Sequence, residues 1–185
     1  MLKRSLLLSA LLLAALFHGC SDSKEESTES LVASNEFTLT DIANQPYTVT
    51  KEGNDYILKG HENKIVIFDI FATWCQPCRS EAPHLASLQK KYPEDLVVMG
   101  VTIEDGITND KLLTFKNENG ADFIIVNSEV NRPFYRSVAS SINIGQQFPI
   151  PLTVMFKNGR YVTHYVGLVA EEMIESDIKM ALGKQ

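Results

Sequence analysis

The chain has 185 residues, 44% of them hydrophobic and 22% charged, with 17 Lys and Arg against 23 Asp and Glu for a formal charge of −6. One domain of about 100–150 residues plus appendages is expected at this length, enough to bury a core without several disulfides as staples. The acidic balance, with no Lys/Arg-rich run, excludes a nucleic-acid binder that works by neutralising phosphates, and three cysteines are too few for a disulfide scaffold.

In chain order, Lys3 and Arg4 precede an uncharged run of Leu, Ala and Ser from Ser5 to Phe17, and the apolar stretch ends at Gly19-Cys20. This is the order of a secretory signal, and the run is shorter than the roughly 20 residues that span a bilayer. Gly19-Cys20 resembles a bacterial lipobox, which implies cleavage after residue 19 and a lipid on Cys20. A plain cleaved signal and an uncleaved anchor are the alternatives. Ser21 to Ser34 is rich in Ser, Glu and Thr, with too little apolar surface to offset ordering, and reads as a flexible tether. The expected organisation is therefore a signal peptide over 1–19, a lipidated Cys and tether over 20–35, and a folded domain over 36–185.

Short strands are predicted at 37–40, 47–50 and 56–58, as an N-terminal hairpin region. Lys64 to Phe71 (KIVIFDIF) is the nearly continuous apolar run of a strand covered on both faces. Residues 81–91 have helical period through Ala82, Leu85 and Leu88; 96–102 read as a buried strand, 108–120 as a helix ended by Gly120, 123–126 as a strand and 133–140 as a helix. Asn158-Gly159 marks a hairpin between strands at 152–156 and 161–166, and 170–182 closes the chain as a helix with Met173, Ile174, Ile178 and Leu182 as its apolar stripe. Alternating elements followed by a hairpin imply an α/β fold, a mixed central sheet flanked by helices.

The chemistry-bearing segment is Trp74-Cys75-Gln76-Pro77-Cys78-Arg79-Ser80-Glu81-Ala82-Pro83, where a strand gives way to a helix. A Cys-x-x-Cys there puts the first sulfur at a helix N-terminus, where free N–H groups and the dipole stabilise thiolate, and the second one turn in. Zinc sites also use this spacing, but a structural zinc needs four ligands, and His61, His84 and His164 are scattered singly. A purely structural disulfide is a further alternative, although so small a loop constrains the unfolded chain little. Asp69 lies in the middle of the apolar strand, where burial would raise its pKa and fit it to exchange a proton with Cys78; a hydrogen-bonded structural role is the alternative. Glu81 is one turn beyond Cys78, with a solvated helix acid as its alternative. Arg79 reads as an exposed cation near the thiols, and Trp74 as a wall of the site's surface.

Trp-Cys-x-Pro-Cys-Arg-x-Glu-x-Pro resembles the thioredoxin superfamily and, within it, the TlpA/ResA-like branch of exported thiol–disulfide oxidoreductases. Ile150-Pro151-Leu152-Thr153-Val154-Met155-Phe156 is similar to the family segment in which a cis-proline opens the strand facing the dithiol, and Val166-Gly167 to its strand-ending Gly. The resemblance covers about residues 36–183 and implies a thioredoxin-like fold with an N-terminal β-hairpin and an inserted helix–strand unit between Cys78 and Pro151. It also implies that Pro151 is cis, which the sequence alone would not favour over an ordinary trans proline.

By the same resemblance Cys75 and Cys78 form a redox disulfide in which Cys75 attacks and Cys78 resolves. Asp69 matches the superfamily's buried acid, Glu81 matches the branch's glutamate, and Trp74, Gln76, Pro77, Ile150 and Pro151 contact substrate. No cofactor beyond the disulfide is expected, since no nucleotide fingerprint or haem-attachment Cys-x-x-Cys-His is present. The expected partners are thiol and disulfide proteins and a membrane electron donor, with a monomer anchored by Cys20 and facing the periplasm. With no cation between the cysteines and with Asp69 and Glu81 nearby, a low reduction potential is expected. That favours a reductase, with cytochrome c apoproteins as a possible substrate. An oxidase or isomerase of the same fold, and a copper-holding metallochaperone, are the alternatives.

Overall fold

The computed structural model describes residues 35–184. The leader, Cys20 and nearly all of the tether therefore lie outside the described residues. Three antiparallel strands open the described chain: β1 (Glu36–Thr40), β2 (Pro46–Glu52) and β3 (Asp55–Leu58), in the order β1-β2-β3. The three strands expected in the N-terminal hairpin region are all present and form one antiparallel sheet.

The second sheet contains β4 (Ile65–Phe71), β5 (Leu96–Thr102), β6 (Ile124–Val126), β7 (Leu152–Lys157) and β8 (Arg160–Val166), ordered β6-β5-β4-β7-β8. β4, β5 and β6 are parallel, whereas β7 runs antiparallel to both β4 and β8. The helices are α1 (Gln76–Lys91), α2 (Asn109–Glu118), α3 (Asn131–Ser141) and α4 (Glu171–Ala181). Between β5 and β7 the chain runs through α2, β6 and α3.

Every residue of β4 and of β5 is buried, as expected of strands covered on both faces. Alternation along β4 sorts the core into two layers. Ile65, Ile67 and Phe71 share one apolar cluster with Leu85 and Leu88 of α1, Phe115 of α2, and Ile174 and Ile178 of α4. Val66, Phe68 and Ile70 share the other with Phe134 and Val138 of α3 and with Leu39, Val49 and Tyr56 of the small sheet. Asp69 alternates with the first set and therefore points under α1. Met173, expected on the apolar stripe of α4, is exposed, whereas Ile174, Ile178 and Leu182 of the same stripe pack against the core.

Asn158 and Gly159 both have positive φ (53° and 78°), the turn geometry that Asn-Gly favours between β7 and β8. This turn also joins the sheets: the Tyr56 N–H donates to the Gly159 carbonyl at 2.8 Å, and a Cβ on Gly159 would stand 2.5 Å from Ile57 Cγ1.

Phe134 is the aromatic centre of the second layer. Its ring meets Phe37, Tyr56 and Phe68 edge-on, with centroids 5.2, 6.0 and 5.0 Å away. Because it contacts β1, β3 and β4 together, Phe134→Ala should destabilise the protein by about 3–5 kcal/mol. Urea unfolding would measure this; a loss below about 1 kcal/mol would mean that the two sheets are held together elsewhere.

Candidate active site

The end of β4 delivers the chain directly to the two cysteines. Cys75 has extended backbone (φ −77°, ψ 111°) and caps α1: the Cys78 N–H donates to Cys75 Sγ at 3.2 Å. Pro77 stands in the first turn of the helix, where its missing N–H costs no intrahelical bond. The helix begins at Gln76 rather than at 81, because this cap and Pro77 start it before the apolar period becomes visible.

Cys75 and Cys78 are joined in a disulfide with Cα atoms 5.3 Å apart. Cys75 is 5% exposed and Cys78 only 1%, so an incoming group has access, limited as it is, to the first sulfur. Trp74 beside them is 63% exposed, and Gln76 and Pro77 are exposed as well.

Two contacts hold this turn. The Glu104 carboxylate accepts from the Thr73 N–H at 2.6 Å and from Thr73 Oγ1 at 3.1 Å. The Arg79 Nε–H donates to the Thr73 carbonyl at 2.8 Å, which gives that cation a structural partner within the turn. Neither Thr73 nor Glu104 was signalled by the sequence, since Glu104 sits in a loop 31 residues from its partner.

The peptide bond Ile150–Pro151 is cis. It enters β7 opposite the disulfide, and the Ile150 carbonyl oxygen lies 3.7 Å from Cys75 Sγ. A disulfide sulfur carries no proton, so this contact becomes a hydrogen bond only when Cys75 is a thiol. Gly167, with φ of 80°, follows β8 and donates its N–H to the Pro151 carbonyl at 2.8 Å, fixing the far side of the same segment.

Beneath the disulfide lie two carboxyl groups. Asp69 is 2% exposed and Glu81 is 0% exposed, so Glu81 is no solvated helix acid. Thr153 Oγ1 donates to Glu81 Oε2 at 3.1 Å, while Asp69 Oδ1 and Glu81 Oε1 have no hydrogen-bond partner. Burial raises the Asp69 pKa well above the ordinary carboxylate value, and the Glu81 charge raises it further. Burial also pushes Glu81 up to about 7, against the opposing help that Thr153 and the Val169 backbone give its charged form. The dithiol therefore sits over groups able to exchange protons near neutral pH. Thr153 was not singled out from the sequence; its signal is a hydroxyl in an otherwise apolar strand, directly paired with Asp69.

A capped Cys-x-x-Cys at a helix N-terminus, a cis-proline facing it and a parallel–antiparallel sheet between two layers define a dithiol–disulfide protein of thioredoxin-like fold. The comparisons agree. Residues 45–114 match the Thioredoxin family model. The thiol-disulfide oxidoreductase ResA of Bacillus anthracis is 26% identical over 175 residues, covering 94% of this chain and 90% of that protein. The thioredoxin-like protein YneN of Bacillus subtilis is 36% identical over 62 residues, covering 34% of this chain and 36% of that protein. In structure, a thioredoxin-family thiol:disulfide interchange protein from Chlorobium tepidum superposes with a TM-score of 0.61 at 21% identity, over 81% of this chain and 95% of that one. StoA from Bacillus subtilis gives 0.55 at 16% identity, over 78% and 96%. Residues 45–114 thus form a Thioredoxin-model domain, ResA-type thiol-disulfide oxidoreductases are among the chain's homologues, and with its Cys-x-x-Cys the domain is that of a redox enzyme similar to them.

Because the folded protein raises both carboxyl pKa values, it favours their protonated forms. Their contribution is fully present below the unfolded values near 4 and is lost as pH rises toward the folded values, about 7 for Glu81. The stability of oxidised Glu81→Gln relative to the wild type should therefore increase between pH 4 and pH 8, on the order of 2–3 kcal/mol. Denaturant unfolding across that range measures it, and a constant difference would show that Glu81 titrates normally.

Proposed function

We propose that the protein reduces disulfides of other proteins outside the cytoplasm. The observation that carries this reading is the Cys75–Cys78 disulfide at the α1 N-terminus, facing cis-Pro151 and lying over Asp69 and Glu81. In the reduced state the Cys75 thiolate attacks one sulfur of a substrate disulfide and forms a mixed disulfide, and the other substrate sulfur leaves as a thiolate that takes a proton from solvent. Cys78 gives its proton to the buried carboxyl pair and attacks Cys75 Sγ. The second substrate thiol then leaves, taking up a proton. Two electrons and two protons have passed to the substrate, and the enzyme holds the disulfide.

Trp74, Gln76, Pro77, Ile150 and Pro151 form the surface against which the substrate peptide lies. Trp74 and the exposed first turn supply apolar contact, and the backbone at Ile150 supplies main-chain pairing. Negative charge that develops on this carboxyl pair as Glu81 ionises, near pH 7, disfavours thiolate and favours the disulfide. This supports a potential toward the reducing end of the superfamily's range, near the roughly −270 mV of thioredoxin rather than the oxidising end near −120 mV.

Export and anchoring rest on the sequence: Lys3 and Arg4, the apolar run and Gly19-Cys20 support a signal peptide and a lipid on Cys20, with the domain facing the periplasm on its tether. A secreted Mycobacterium tuberculosis disulfide oxidoreductase has a related fold, with a TM-score of 0.57 at 16% identity. A membrane dithiol protein returns the electrons, and cytochrome c apoproteins are a candidate substrate.

Cys78→Ser should accumulate mixed disulfides with exported proteins, whereas Cys75→Ser should trap none. Trapping by both variants, or by Cys75→Ser alone, would reassign the nucleophile. Mass spectrometry of the mature N-terminus should show an acylglyceryl Cys20; an unmodified N-terminus at a later residue would remove the anchor.

A further inference from the structure

Asp69 and Glu81 are unequal in their donors. Thr153, itself fully buried, donates its hydroxyl proton to Glu81 Oε2 at 3.1 Å, and the Val169 backbone also favours the charged form of Glu81. Asp69 Oδ1 has no hydrogen-bond partner. Yet Asp69 and Thr153 are register partners across β4 and β7, so the hydroxyl enters the carboxyl layer from the strand that Pro151 opens. Val169 follows Gly167, and Glu81 thereby links α1 to β7 and to the loop before α4.

The remaining neighbours offer these two acids little. On β5 the residue opposite Asp69 is Gly100, without a side chain. On β8 the residue opposite Thr153 is Tyr165, whose hydroxyl donates to Asp177 of α4. From α1 and its N-cap come Cys78 and Cys75, which do not titrate while joined. Two like charges in a dry layer cannot both be sustained near neutral pH, so one carboxyl keeps a proton and local donors decide which.

We propose that Thr153 is a positioning residue that fixes this choice: by donating to Glu81 it assigns the negative charge to Glu81 and leaves the retained proton on Asp69. Glu81 is then the base that takes the Cys78 proton, and Asp69 is the neutral acid beneath it. The second statement rests on the proton-exchange role given to the pair under the proposed function. The first concerns the carboxyls alone.

The test uses the oxidised full chain with no substrate, so it does not depend on redox activity. The carboxyl groups of Asp69 and Glu81 are followed by ¹³C NMR from pH 4 to pH 10, with assignments from Asp69→Asn and Glu81→Gln. In the wild type Glu81 should ionise first, near pH 7, and Asp69 at higher pH. Thr153→Val keeps the shape and removes the donor, and should raise the Glu81 midpoint by about one unit, a tenfold change in its ionisation constant. Thr153→Ser keeps the donor and should leave the midpoint near the wild-type value, which also checks the result if the valine variant folds poorly. Asp69 ionising first, an unmoved midpoint in Thr153→Val, or an equal shift in Thr153→Ser would each overturn the assignment. A second readout separates the two statements. The rate at which a mixed disulfide on Cys75 is resolved should follow the Glu81 midpoint in each variant. If the carboxyls titrate as expected but the rate ignores them, the role of Thr153 stands and the proton-exchange role falls.

Discussion

Two carboxyl groups enclosed beneath one disulfide impose the constraint on which the rest of this structure depends. Burial disfavours each charge and their proximity disfavours the second, so the layer holds protons at pH values where surface acids have lost theirs. A site that must exchange protons with thiols needs groups that titrate near neutral pH, and this is how a carboxyl is brought there. Such a layer costs stability, and it persists only because the surrounding core is well packed.

The packing explains where the layer lies. β4 is the middle strand of a five-stranded sheet, buried on both faces, and Asp69 takes a position that alternation assigns to the α1 side. α1 brings Glu81 over it with the same buried stripe, Ala82, Leu85 and Leu88, that holds the helix down. The first turn of that helix carries the cysteines, so the surface that admits a substrate and the interior that stores protons are the outer and inner sides of a single turn. On its other flank β7 follows directly on Pro151 and, two residues on, supplies Thr153. Glu104 and Arg79, each bonded to Thr73, keep the strand-to-helix turn in place.

Much of this was readable before the structure. The unbroken apolar runs placed β4 and β5, Asn158-Gly159 placed the final hairpin, and Trp74-Cys75 to Pro83 with Ile150-Pro151 identified the dithiol and its opposing proline. Asp69 was legible because a charge in a buried strand is anomalous, whereas the exposure of Glu81 depended on helix phase and was open. What stayed hidden was tertiary. The pairing of the three N-terminal strands into one sheet is set by contacts that periodicity does not show, Met173 is exposed although Ile174, Ile178 and Leu182 of the same stripe meet the core, and Thr153 acquires meaning only when register sets it against Asp69. Residues that act through a neighbour distant in sequence, as Glu104 does on Thr73, leave no local pattern.

If the buried charges govern the dithiol, removing them must change its redox equilibrium in a pH-dependent way. The most direct measurement is the equilibrium potential of the Cys75/Cys78 couple against glutathione from pH 5 to pH 9, for the wild type and for Asp69→Asn/Glu81→Gln. The neutral variant should have the higher potential at pH 8–9, because thiolate is no longer opposed by carboxylate. The two curves should converge toward pH 5, where both carboxyls of the wild type are protonated. Curves that superimpose across the whole range would show that the carboxyl layer and the disulfide above it do not communicate.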